Sequence, residues 1–315
     1  MSAGERLPDT PAPGHVWTGY QGLRIAGDTW GDPAGTAVIL QHGGGQTRHA
    51  WKTTGEVLGE AGFHAIAFDA RGHGDSEWSP EGDYSQDAMV RDLCEVMQGL
   101  GLQRAVLVGA SMGGGTSLVA AGEGAVDALA LILVDVAPRI EPEGVQKIRD
   151  FMMRNPDGFG SLEEVADAIA SYQPHRTRPT NLKGLAKNVR LGKDGRYHWH
   201  WDPRMMSGHR DLASRERRLT ACARALQVPS LLVKGGISDV LTEEGVQSYL
   251  QSAARSEYLN IGGAGHMVAG DRNDLFGKAI VEYLTRPGLL QKEISSTQRT
   301  ALMARLNASD LNDIP

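Results

Sequence analysis

The sequence predicts an α/β fold: a mostly parallel central sheet with helices on both faces and an inserted helical cap. Three observations carry this. Short, fully apolar runs alternate with longer stretches of helical period, as strands covered on both faces require. The alternation lapses over residues 140–223, where helical stretches joined by polar, proline-containing connections replace buried strands, and it resumes afterwards. Finally, the run Ala105-Val106-Leu107-Val108 passes through Gly109-Ala110-Ser111-Met112-Gly113 into a segment that can continue as a helix, so a sharp turn joins strand to helix.

Taken in order, residues 36–40 are short and apolar enough for a buried strand, and residues 51–62 carry helical spacing. Residues 64–68 and 85–100 repeat that pair. The next strand is 105–108, its helix continues beyond Gly114, and 128–134 is a further strand. Within the insert, 143–154 and 161–172 have helical period. The α/β pattern returns with strand 230–234, helix 243–254, strand 256–261 and helix 274–284. Beyond Arg286-Pro287-Gly288, Ser295 and Gln298 stand at capping-box spacing ahead of Ala301-Leu302-Met303, which predicts a terminal amphipathic helix. The expected organisation is a core in two parts, 1–139 and 224–287, a helical cap at 140–223 and a C-terminal extension at 288–315.

Composition excludes several classes. The 315 residues carry a net charge of −6 with Lys and Arg scattered among Asp and Glu, so nucleic acid is not an expected partner. No apolar stretch is long enough to span a bilayer, and the N-terminus lacks an apolar signal core; a cytoplasmic protein without membrane association is expected. Cys94 and Cys222 show no C-x-x-C spacing and are expected as free thiols. No internal repeat is visible. A homo-oligomer is compatible with these properties, which do not fix the state of assembly.

The turn at Ser111 points to chemistry. A hydroxyl held at the tip of so sharp a turn needs glycine on both sides, where side chains would collide, and Gly109 and Gly113 supply that room. Ser111 is the candidate nucleophile, set at a helix N-terminus that favours developing negative charge. A serine hydroxyl also needs a base within hydrogen-bond reach, itself oriented by an acid. The candidate base is His266, in Gly262-Gly263-Ala264-Gly265-His266 after the strand ending at Ile261. The candidate acid is Asp239, in Gly235-Gly236-Ile237-Ser238-Asp239 after the strand ending at Lys234, with Asp135 its competitor. Asp239 is favoured because its glycine-containing loop allows close approach, whereas Asp135 runs directly into the cap. These residues lie beyond strand C-terminal ends, which share one edge of a parallel sheet, so distant positions converge. Two N–H donors are needed for an oxyanion hole. Met112 would supply one and Gly44, in His42-Gly43-Gly44-Gly45, the other, with Trp51 packed beneath the loop.

In the insert, Asp194-Gly195 predicts a tight turn, and Tyr197, Trp199 and Trp201 then alternate with His198, His200 and Asp202. On an extended chain the aromatic set shares one face, able to line a pocket or to pack the cap onto the body. The His-x-His-x-Asp set reads as a polar face rather than a metal site, because no further ligand stands nearby. No metal or cofactor is expected.

These motifs together resemble the α/β-hydrolase fold family and its cap-bearing serine hydrolases, a group that includes esterases, lactonases, carbon-carbon bond hydrolases, epoxide hydrolases and haloalkane dehalogenases. The resemblance covers about residues 16–284. It rests on His42-Gly43-Gly44-Gly45 with Trp51, on Asp69-Ala70-Arg71-Gly72-His73-Gly74-Asp75-Ser76, on the Ser111 elbow, and on Asp239 and His266. It implies hydrolysis of a small to medium, largely uncharged carboxylic ester or lactone through an acyl-enzyme. Epoxide hydrolases and dehalogenases carry aspartate where Ser111 stands, which argues against both. Carbon-carbon hydrolases usually have asparagine before the serine and an aromatic residue after the histidine, where this chain has Ala110 and Met267. Carbon-carbon cleavage or perhydrolysis on the same triad, and a ligand-binding receptor without turnover, are the alternative readings. In the family the Asp69–Ser76 motif knits a loop under the site; Asp69 and Arg71 are expected to pair locally, and His73 to be structural.

Overall fold

Strand edges and loop ends decide where the functional groups fall. The computed structural model describes residues 3–8, 10–172, 178, 182–207, 211–268 and 273–290. Its main sheet contains β1 (His15–Thr18), β2 (Arg24–Trp30), β3 (Thr36–Gln41), β4 (Phe63–Phe68), β5 (Arg104–Ala110), β6 (Asp127–Val134), β9 (Ser230–Gly235) and β10 (Ser256–Ile261). They lie in the order β1-β2-β4-β3-β5-β6-β9-β10. All neighbours from β4 to β10 pair in parallel, while β1 and β2 join antiparallel at one edge. This N-terminal hairpin goes beyond the sequence reading. Its strands are only partly apolar, β1 is mostly exposed, and β2 contains Gly27 and Asp28, so neither shows the buried-strand signature.

The apolar runs are two-sided, as expected. Ile39, Leu107, Leu131 and Leu133 face a layer made by α2 (Gln86–Gly99), α3 (Met112–Gly122), α6 (Leu212–Ala225) and α7 (Glu243–Ser252). Val38, Leu40, Val106, Val108 and Ile132 face α1 (Lys52–Glu60) and α8 (Asn273–Leu284). Each such side chain contributes about 1.5–3 kcal/mol by leaving water. Ser85 caps α2 by accepting the Ala88 N–H, which fixes the start of that helix where the sequence placed it.

The insert holds α4 (Pro142–Met153) and α5 (Leu162–Tyr172), then a 3-10 segment at Leu182–Asn188. It also holds an antiparallel pair, β7 (Val189–Leu191) with β8 (Tyr197–Trp199), so it is not purely helical. Three-residue strands are too short to register as apolar runs, although the Asp194-Gly195 turn between them was legible. Leu219, Cys222 and Ala223 of α6 share the core with Leu118 and Val119 of α3. Among the described residues no helix is long and apolar enough to cross a membrane. Most of the extension, including Ser295 and Gln298, lies outside the described residues.

Candidate active site

The elbow is built by close approach of backbone to backbone. Ser111 has φ 47° and ψ −108°, a conformation costly for a residue with a side chain, and it sits between β5 and the first turn of α3. A Cβ on Gly109 would lie 2.3 Å from Gly113 O, and one on Gly113 would lie 2.4 Å from Gln41 O, so both positions require glycine. The strained turn is pinned from outside. Ser111 N–H donates to Val134 O at 3.1 Å, and Gly113 N–H donates to His42 O at 3.2 Å.

His266 meets an acid, but not the one the sequence favoured. Its Nδ1 lies 2.7 Å from Oδ2 of Asp135, a fully buried carboxylate just beyond β6. An ionised carboxylate only accepts, so Nδ1 carries the proton and Nε2 is left free to act as a base. Asp135 also has a positive φ of 50°, a left-handed conformation uncommon for a residue with a side chain. Its Oδ1 accepts the Gly235 N–H at 2.8 Å, and its Oδ2 accepts the Ser238 hydroxyl. The loop after β9 thus contributes a backbone amide and a hydroxyl, whereas Asp239 points outward and pairs with Lys147 at 2.8 Å, both side chains being exposed. Cap helix α4 packs against this loop: a Cβ on Gly144 would meet Asp239 O at 2.4 Å.

In the glycine loop, hydrogen bonds commit the N–H groups on either side of Gly44. Gly43 N–H donates to Gln46 Oε1 at 2.9 Å and Gly45 N–H to His73 Nε2 at 3.1 Å. Among the described residues the Gly44 N–H has no such partner. The Met112 N–H, first in α3, has no acceptor inside its helix. Gly43 packs against Ser111, since a Cβ there would lie 3.3 Å from Ser111 Cβ. These are the two donors the sequence selected, and among the described residues neither N–H has an acceptor.

Three buried histidines hold this loop. His42 accepts the Ala70 N–H at Nε2, so its Nδ1–H donates to Gly43 O at 2.8 Å. His73 accepts from Gly45 and donates from Nδ1 to Arg71 O at 3.2 Å. His200 reaches in from the cap, accepting the Gly74 N–H at Nδ1 and donating from Nε2 to Gly45 O at 3.3 Å. Burial holds all three rings below their ordinary pKa, that of His73 at about 3, so each is neutral. His73 is structural, as expected, and His200 was missed because its partners are backbone groups distant in sequence.

The ion pairs beneath the loop differ from the sequence expectation. Asp69 pairs with fully buried Arg48 at 2.6 Å rather than with Arg71, which binds Asp92 at 2.6 Å. Arg48 also contacts Asp28 at 2.8 Å and Asp75 at 2.9 Å, and Asp75 in turn binds Arg190 of β7 at 2.9 Å. Burial alone would raise the Asp69 carboxyl, but Arg48, together with the backbone N–H groups of Asp75 and Arg48, outweighs it and holds the group below its ordinary value. Cap, glycine loop and motif therefore share one charge network.

Ser111, His266 and Gly44 line a single cavity of about 530 Å³. Its wall includes Phe151 and Met152 of α4, Ile169 and Tyr172 of α5, and Trp199 and Trp201. The two indoles stack at 4.8 Å and donate to Arg154 O and Met152 O, so the aromatic face both lines the pocket and ties the cap together. On the other face His198 pairs with Asp194, His200 is committed to the loop, and Asp202 binds Arg204 and Tyr84. Trp51 is buried against Phe276 and borders the same cavity.

Comparison with known proteins places the chain among hydrolases of one fold. An esterase of Mycobacterium tuberculosis is 31% identical over 249 residues, covering 77% of this chain and 80% of the relative. The 3-hydroxybutyrate-oligomer hydrolase of Cupriavidus necator is 27% identical over 259 residues, covering 77% and 87%. A solved structure of the Mycobacterium tuberculosis esterase superposes with a TM-score of 0.66 at 27% identity, over 88% of this chain and 92% of that one. Residues 36–272 match the family described as alpha/beta hydrolase fold. With the sheet order, the elbow and this match in agreement, the chain belongs to the alpha/beta hydrolase fold family.

Proposed function

We propose that the protein is a serine ester hydrolase in which Ser111 is the nucleophile, His266 the general base and Asp135 the acid that orients it. The observation that carries this is the hydrogen bond from His266 to the buried Asp135, with His266 and the strained Ser111 lining one cavity. Ser111 Oγ attacks the ester carbonyl carbon and its proton passes to His266 Nε2. The Gly44 and Met112 N–H groups stabilise the oxyanion. Collapse expels the alcohol, which takes that proton, and leaves an acyl-serine. Water then attacks, giving its proton to Nε2, and the acid departs as Ser111 is reprotonated.

The substrate class is a small to medium carboxylic ester or lactone enclosed beneath the cap. Aromatic walls and the cavity volume support that size, and relatives named esterase and 3-hydroxybutyrate-oligomer hydrolase support ester chemistry. The Ser111→Ala variant is expected to lower kcat on 4-nitrophenyl butyrate by at least about a thousandfold with an unchanged melting temperature. Undiminished turnover by the variant would overturn the reading.

A further inference from the structure

The charged groups on the cavity wall are all of one sign. Among the described residues that line it there is no aspartate or glutamate, yet His49, Lys52 and Lys187 border it. Their situations differ. Lys52 is exposed and answered by Glu56 one helical turn away. His49 is held neutral, its pKa lowered to about 4 by burial first, then by Arg48, with Lys187 adding to the repulsion. Lys187, at the end of the Leu182–Asn188 turn, is partly buried, and no carboxylate of the described residues lies within ion-pairing reach of its ammonium. Burial pushes its pKa below the ordinary lysine value.

We propose that Lys187 forms an anion subsite within the catalytic cavity, and that the substrate is an ester whose acyl part carries a carboxylate. A half-ester of a dicarboxylic acid fits this description. The inference rests on the serine ester hydrolase reading and revises one element of it, the expectation of a largely uncharged substrate. An ammonium partly withdrawn from water, with no carboxylate of the described residues in reach, has lost part of its hydration, which a neutral substrate cannot restore. A substrate carboxylate replaces it, and part of the protein's share of the desolvation has been met in folding, so more of the new charge-assisted hydrogen bond counts toward binding. Because the cation lies on the wall that encloses the ester, it selects for a particular separation between carboxylate and scissile carbonyl.

The test compares 4-nitrophenyl half-esters of dicarboxylic acids, from succinate to suberate, with neutral 4-nitrophenyl esters of matched length. For at least one chain length, Lys187→Met is expected to lower kcat/KM on the half-ester about tenfold or more, mainly through KM, while the neutral ester stays within about threefold. Lys187→Arg should retain most of the preference, and Lys187→Gln replaces the methionine variant if that does not fold. An unchanged ratio of half-ester to neutral ester at every length overturns the proposal. If wild type hydrolyses neither series, the ester hydrolase reading fails separately. The subsite is then read from melting temperature: the free dicarboxylates raise it in wild type and not in Lys187→Met if the proposal holds. No rise in wild type, or an equal rise in both, overturns it.

Discussion

Replacing Asp135 by asparagine should cost far more than its small change in shape suggests. Asp135 Oδ1 accepts the Gly235 N–H at 2.8 Å, and that amide can only donate, so the oxygen of an asparagine must stay there. Its NH2 then falls at the Oδ2 position, 2.7 Å from His266 Nδ1. Two donors cannot face each other, so the ring must shift its proton to Nε2, the nitrogen that should receive the proton of Ser111. A wrong tautomer of this kind lowers kcat by about 10³–10⁴. Asp239→Asn removes only an exposed partner of Lys147 and should leave kcat within about threefold. Steady-state hydrolysis of 4-nitrophenyl butyrate by the two variants, each with its melting temperature checked, separates them. A hundredfold loss in Asp239→Asn beside a nearly active Asp135→Asn would refute the reasoning.

Other consequences follow from the same contacts. Gly113→Ala places a Cβ 2.4 Å from a backbone oxygen and should destabilise by about 1–3 kcal/mol, read as a lower urea midpoint, with activity falling as the elbow shifts. Arg48→Met leaves Asp69 buried without its cation and should cost about 3–5 kcal/mol; a change under about 1 kcal/mol would show the network to be dispensable. Acid should destabilise the fold through its buried neutral histidines. His73 has its pKa lowered from 6.5 to about 3, so the unfolded chain binds the proton first and stability is lost as pH falls below 6.5. One such group accounts for about 2 kcal/mol by pH 5, and His42 and His200 act in the same direction. A urea midpoint equal at pH 7.5 and pH 5 would contradict this.

Much of the site was legible because it depends on local backbone rules. Ser111, Gly44 and Met112 follow from glycine spacing and chain order, and His266 from its place beyond a strand end. Glycine content points to Asp239 as the acid, yet the close approach to His266 is made by Asp135. In the structure the glycine-containing loop supplies Gly235 N–H and Ser238 to the acid instead of the acid itself. The competing signal was available: Asp135 directly follows β6, the neighbour of the elbow strand β5. Arg48 as the partner of Asp69, and His200 as a clamp on Gly45, were not legible, since both pairings depend on how distant segments pack. The β1–β2 hairpin escaped notice for a simpler reason, its lack of a continuous apolar run.

The central claim, that Ser111 is a nucleophile activated through the Asp135–His266 pair, is tested most directly by a fluorophosphonate probe and intact-mass spectrometry. The account predicts one adduct per chain, mapped to the Ser111 peptide, absent in Ser111→Ala, formed much more slowly in Asp135→Asn and at the wild-type rate in Asp239→Asn. An adduct that forms equally well on Ser111→Ala would contradict it.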